Sequence, residues 1–158
     1  PQDMTAEEFA AFDDPDKLSL YTVIRRDENG ALKTVWYRDE YKEEIEKACS
    51  LLEQAIELTE NEGMKKYLVE RVKAFRTDDY LASDMAWMDM KDCNMDLVIG
   101  PIENYDDHLF EAKAAYEAFI LLKDETRSAN LAKYVGLLPE LQKALPCAPE
   151  YKTFVPGT

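Results

Sequence analysis

The feature that most constrains how this chain can fold is a change of hydrophobic period near Asp39. Beyond it, Ile45, Cys49, Leu52 and Ile56 recur at three- and four-residue steps, with Ala48 and Ala55 beside them. That spacing puts side chains on one face of an α-helix, and Glu43, Glu46, Lys47 and Glu53 fall on the other. Asn61-Glu62-Gly63 breaks the pattern. A second helix is predicted from about Met64 to Phe75, with Leu68, Val72 and Phe75 inward. Thr77 can cap a third, whose first turn holds Asp78 and Asp79, where negative charge suits the helix dipole. Its apolar face reads as Leu81, Met85 and Met88. The cluster Met85, Trp87, Met88 and Met90 could line a partner groove, but at helical spacing it reads better as core. Trp87 lies off the stripe and could reach a cleft.

Before the change of period the pattern is that of strands. Tyr21–Arg26 and Ala31–Tyr37 are rich in β-branched and aromatic residues and flank Asn29-Gly30, a pair that accepts the positive φ angles of a tight turn. A β-hairpin is predicted near 21–37. Ahead of it, Thr5-Ala6-Glu7-Glu8 is a capping box opening a short helix to about Phe12. Asp96–Ile102 reads as a strand that ends or bulges at Gly100-Pro101. A helix is expected from about Leu109 to Lys123 with the stripe Ala112, Ala115, Tyr116, Phe119 and Leu122, then two shorter helices near Thr126–Leu138 and Pro139–Ala144. The fold class is therefore α+β, predominantly α-helical, with helices packed around a small incomplete sheet. An unpaired strand edge in such a sheet could support self-association with a second copy.

Composition narrows the partners. A chain of 158 residues makes one domain or two small lobes. Its net charge of −14 repels phosphate backbones and anionic headgroups, so no nucleic acid and no membrane partner is expected. It favours cationic ligands such as peptide amino termini, though acidic surfaces also serve solubility. Cys49, Cys93 and Cys147 lie far apart, which argues against a disulfide framework and against a cysteine-based zinc site. No apolar run reaches membrane-spanning length, and no signal peptide is visible. Pro1 is not an initiator residue, so the native start is expected to be missing. A cytoplasmic location is the expectation.

Most catalytic signatures are absent. His108 is the single histidine, so no His-Glu-x-x-His pair exists, and no metal ligand set is assigned. The glycines stand alone, without a phosphate-cradling loop, and there is no Gly-x-Ser-x-Gly elbow. Asp106, Asp107 and His108 sit together and could be acid–base or hard-metal groups. The favoured reading is that one aspartate caps the helix expected from Leu109. Glu103 and Tyr105 are the more interesting pair. Two apart at a strand end, they can point to one side, where a carboxylate could hold an ammonium and a phenol could donate to a developing oxyanion.

Ile99-Gly100-Pro101-Ile102-Glu103-Asn104-Tyr105-Asp106-Asp107 resembles the Ile-Gly-x-Ile-Glu-x-Tyr-x-Asp segment of the dipeptidyl-peptidase III family, and bacterial members in particular. Thr77–Asp92 upstream, with Trp87 at the family's spacing, and Lys113–Glu125 and Lys133–Pro146 downstream are similar too; the likeness runs from about Met4 to Lys152. It implies a two-lobed zinc metallopeptidase, a hydrolase that removes dipeptides from peptide amino termini. The family's His-Glu-x-x-Gly-His helix and downstream glutamate are not in this sequence and are expected beyond Thr158. This chain then resembles an internal fragment, with no cofactor of its own and zinc in the parent enzyme, and it is expected to be inactive alone.

The resemblance implies that Glu103 binds the substrate's free amino terminus, that Tyr105 stabilises the oxyanion, and that Trp87 helps line the cleft. Glu111 stands where relatives often carry Gly. Residues 1–110 resemble the β-containing substrate-binding lobe, and 111–158 the start of the helical zinc-bearing lobe. The alternative is a non-catalytic acidic helical module that binds basic protein partners.

Overall fold

A computed structural model describes residues 1–108 and 110–152. It divides into two compact units, Pro1–Ile120 and Leu121–Thr158.

The first unit opens with α1 (Ala6–Ala11), whose N-terminus is closed by the Thr5 hydroxyl accepting from the Glu8 N–H. Strands β1 (Thr22–Arg26) and β2 (Leu32–Trp36) form the expected hairpin, antiparallel, with Val23 opposite Val35 and Ile24 opposite Thr34. Its turn depends on two residues. Gly30 takes φ +84, and the Asp27 carboxylate accepts from the Asn29 and Ala31 N–H groups.

The short helix α2 (Tyr37–Glu40) leads into α3 (Lys42–Leu58), α4 (Glu62–Thr77) and α5 (Leu81–Asp89). Asn61 caps α4 by accepting from the Met64 N–H. Helix α4 lies between α3 and α5 and carries the core. Ile45, Cys49 and Leu52 of α3 meet Tyr67, Leu68, Val72 and Phe75 of α4, as their periodicity predicts. Burial of each large apolar side chain contributes roughly 1.5–3 kcal/mol.

Helix α5 departs from expectation. Thr77 does not cap it. It ends α4, donating to the Lys73 carbonyl and accepting from the Asp79 N–H. The face that α5 buries is Ser83 and Ala86, while Leu81, Met85 and Met88 are exposed. Small side chains let the helix approach α4 closely, and the Ser83 hydroxyl is satisfied by donating to the Tyr80 carbonyl. The methionine stripe is therefore surface, except that Met90 packs against the core.

A second two-stranded sheet joins β3 (Met95–Glu103) and β4 (Ala115–Leu122). Strand β4 occupies the stretch expected to be helix from Leu109 to Lys123. The run Phe119–Leu122 is apolar on all sides, so helical spacing is matched trivially, and pairing with β3 decides the outcome. Leu109 itself lies outside the described residues.

In the second unit, α6 (Glu125–Val135) is capped by the Asp124 carboxylate accepting from the Arg127 N–H, and α7 (Leu138–Ala144) has Pro139 in its first turn. Neither helix has a buried residue. Among the described residues no helix is long and apolar enough to cross a membrane.

Candidate functional site

Strand β3 delivers the candidate residues, and a stack in the helical core sets its path. The Arg71 guanidinium lies between the rings of Tyr67 and Tyr80, 5.2 and 5.3 Å from their centroids, and donates to Asp84 at 2.7 Å. Gly100 passes directly over it. A Cβ there would come within 3.1 Å of Arg71 Nη1 and 3.4 Å of Phe75 Cε1, and the backbone takes φ +141. Only glycine meets both demands without strain.

Past Gly100 the strand runs outward. Glu103 is exposed at its end, and Tyr105 follows in a turn, 64% exposed. The carboxylates of Glu117, Asp106 and Glu103, in that order, push the Tyr105 phenol further from ionisation. The phenol is a protonated donor within electrostatic reach of three carboxylates.

The chain then folds back in a braced loop. The Asn104 side chain donates to the Glu111 carbonyl, and the Asp107 carboxylate accepts from the Ala112 and Lys113 N–H groups at 2.9 and 3.1 Å. Asp107 thus caps a turn, not the helix expected after it. Glu111 sits at φ +51, the left-handed region where glycine is favoured. The loop is fastened to the N-terminal segment: Lys113 Nζ donates to the carbonyls of Lys17 and Ser19 and to Thr22 Oγ1, at 2.7, 2.8 and 2.7 Å. Burial pushes the Lys113 amine below its ordinary value, with the Asp107 and Asp14 carboxylates pulling the other way. Alongside, Ala114 N–H donates to the Leu20 carbonyl, and the buried Tyr37 hydroxyl donates to the Ala114 carbonyl. Phe110 stacks on Phe9 with centroids 4.5 Å apart.

Trp87 lies in a different place. Its Nε1 donates to Asp96 at 2.8 Å, and its ring lines a cleft of about 310 Å³ with Tyr21, Arg71, Val98, Pro101 and Ile102. The motif reaches that cleft through Pro101 and Ile102, not through Glu103 or Tyr105. His108 is exposed, and among the described residues no group of three or more His, Cys, Asp or Glu could hold a metal ion. The residues in hand therefore do not fit a zinc site. Cys49 is fully buried, and the three cysteines are free thiols.

Glu117 and Lys113 carry no mark in the sequence. Reading β4 as a helix hides the first. Nothing local marks the second, because its acceptors lie 91 to 96 residues away.

The sequence profile of Peptidase family M49 matches residues 16–155. The chain belongs to peptidase family M49. DPP III from Caldithrix abyssi is 46% identical and superposes with a TM-score of 0.87, over 98% of this chain and 30% of that one. DPP III from Corallococcus sp. strain EGB is 34% identical with a TM-score of 0.75, again over 98% and 30%. Nudix hydrolase 3 of Arabidopsis thaliana is 35% identical over 144 residues, 91% of this chain and 18% of that protein. The chain thus spans less than a third of each of these relatives. The likeness read from the Ile99–Asp107 motif and its flanks is borne out, as is the predominantly helical α+β fold.

Proposed function

We propose that this M49 chain forms part of the substrate cleft of a zinc-dependent dipeptidyl peptidase that removes dipeptides from peptide amino termini. The observation that carries the reading is the match to peptidase family M49 across the strand end that bears Glu103 and, in the turn after it, Tyr105. Its neighbours Glu103, Asp106 and Glu117 suit a protonated amino terminus, and the phenol among them suits a polarised carbonyl oxygen. Glu103 holds the substrate ammonium. Tyr105 donates to the oxygen that gains charge, an interaction typically worth about 3–4 kcal/mol of the barrier. Trp87 walls the neighbouring cleft beside Pro101 and Ile102.

Zinc in this reading is held by residues outside those described, and no step is assigned to it. Residues 1–110 belong to the substrate-binding lobe, β4 stays with them through its pairing with β3, and the helical metal-bearing lobe begins after it. With β3 as its single partner in a two-stranded sheet, β4 has a second edge that suits a further strand, from the same protein or a second copy. A cytoplasmic setting would keep the three free thiols reduced. A Nudix hydrolase role, after the Arabidopsis relative's name, has less support, since this chain matches only 18% of that protein.

The test is made in the full-length enzyme with dipeptidyl-naphthylamide substrates. Tyr105→Phe should lower kcat by roughly a hundred- to a thousandfold with KM little changed. Glu103→Ala should raise KM and erase the preference for a free over an acetylated amino terminus. Wild-type kinetics in both variants would overturn the assignment.

A further inference from the structure

We propose that Lys113 is a positioning residue for Tyr105, locking the loop that carries it onto the N-terminal segment. The inference rests on the cleft reading above and adds to it what holds the phenol in place.

Either side of Leu109, residues 104–108 and 110–114 are bonded to each other. Asn104 reaches Glu111, the Asp107 N–H donates to the Asn104 carbonyl, and the Asp107 carboxylate collects the N–H groups of Ala112 and Lys113. Tyr105 lies between Asn104 and Asp107, both held by these bonds, so a shift of the loop carries the phenol with it. Internal bonds fix the loop's shape but not its place in the molecule. Its place is set by what ties it to residues far away, and ties of that kind gather at Lys113 and its neighbour Ala114.

The Lys113 ammonium is the densest of them. Its three bonds go to Lys17, Ser19 and Thr22, which run from the segment after α1 to the first residue of β1. That segment is itself fixed. Thr22 is fully buried and its hydroxyl donates to the Asp16 carbonyl, so a lone pair is left for the ammonium. Lys17 in turn donates to the carbonyls of Phe9, Ala10 and Phe12 at the end of α1. An ammonium has three donors on a single atom, and here each meets an oxygen within 2.8 Å. Such a group resists displacement in every direction, whereas the Phe110–Phe9 stack allows sliding. Replacing it with an apolar side chain leaves three oxygens without their donor and releases the loop. A displacement of about 1 Å at a reacting group can cost on the order of a hundredfold in rate.

The experiment is a double-mutant cycle in the full-length enzyme, reading kcat and KM on a dipeptidyl-naphthylamide, with thermal melts to confirm folding. Lys113→Met should lower kcat/KM by about a hundredfold in the parent. In a Tyr105→Phe background, with no phenol left to misplace, the same substitution should cost less than about tenfold. Lys113→Arg should fall between, since a planar guanidinium cannot reproduce three bonds from one nitrogen. Thr22→Val removes one acceptor and should show the same non-additivity at smaller size; it decides the matter if Lys113→Met does not fold. An equal factor in both backgrounds would mean that Lys113 serves stability alone and would overturn the proposal. So would wild-type kinetics of Lys113→Met beside an impaired Tyr105→Phe. Full activity of Tyr105→Phe beside an impaired Lys113→Met would instead remove the cleft assignment, and this role with it.

Discussion

The helical block from α3 to α5 and the stretch from Asn104 to Leu122 are built on opposite principles. In the block, Cys49, Tyr67, Leu68 and Phe75 are at most 2% exposed, and position comes from apolar burial. Burial is non-directional, and its sequence trace is a repeat. In the second stretch Ala114 is the one residue in the buried core, among the described residues. Position there leans on directional bonds, Lys113 to Lys17, Ser19 and Thr22, and Tyr37 to Ala114, beside the ring contacts of Phe110 with Phe9 and of Tyr116 with Tyr37 and Phe75. The first arrangement tolerates small shifts and fails by losing stability. The second holds a few atoms in place and fails by losing geometry.

The sharpest way to break this comparison is Phe75→Ala. Phe75 is 1% exposed at the centre of the block and touches the stack below β3. Truncation should cost about 3–5 kcal/mol, read as a lower denaturant midpoint with an unchanged slope. A loss below about 1 kcal/mol would mean that the block is not where the stability resides.

Gly100→Ala tests the junction between the two regions and should rank second, at about 1–3 kcal/mol. The added methyl meets Arg71 Nη1 at 3.1 Å and Phe75 Cε1 at 3.4 Å, on a backbone with φ +141. The strand must then lift off the Arg71 stack, and Glu103 and Tyr105 lie just downstream. The variant should therefore lose activity in the full-length enzyme at temperatures where it remains folded. A stable and fully active Gly100→Ala would show that the stack does not set the path of β3.

The same contrast explains what can be read from the sequence. The hairpin, α3 and α4 are legible because their signals are local: Asn29-Gly30 for the turn, the Ile45–Cys49–Leu52 stripe, the break at Asn61. The face of α5 is not, because Ser83 and Ala86 are buried for being small, and hydrophobicity does not mark them. Strand β4 reads wrongly as helix because Phe119–Leu122 fits either period, and only its pairing with β3 distinguishes them. At the site, Glu103 and Tyr105 stand out chiefly through family likeness. Glu117 needs β4 to be recognised as a strand. Lys113 needs the tertiary structure itself.

The smallest effect is the most discriminating, because its sign should differ between the two regions. Glu111 holds φ +51 in the braced loop, a conformation that costs an ordinary L-residue roughly 1–2 kcal/mol. Glycine adopts it without that cost but gives up part of the gain to greater freedom in the unfolded chain. Glu111→Gly should therefore stabilise the protein by about 0.5 kcal/mol. In the helical block the logic reverses. Lys47 is exposed within α3 and helical in conformation, so Lys47→Gly should destabilise by about 0.7 kcal/mol through lost helix propensity alone. Paired denaturation curves measure both. Opposite signs would show that the loop, unlike the helix, is held against its own backbone preference. A destabilised Glu111→Gly would mean that the Glu111 side chain contributes more than its backbone conformation costs.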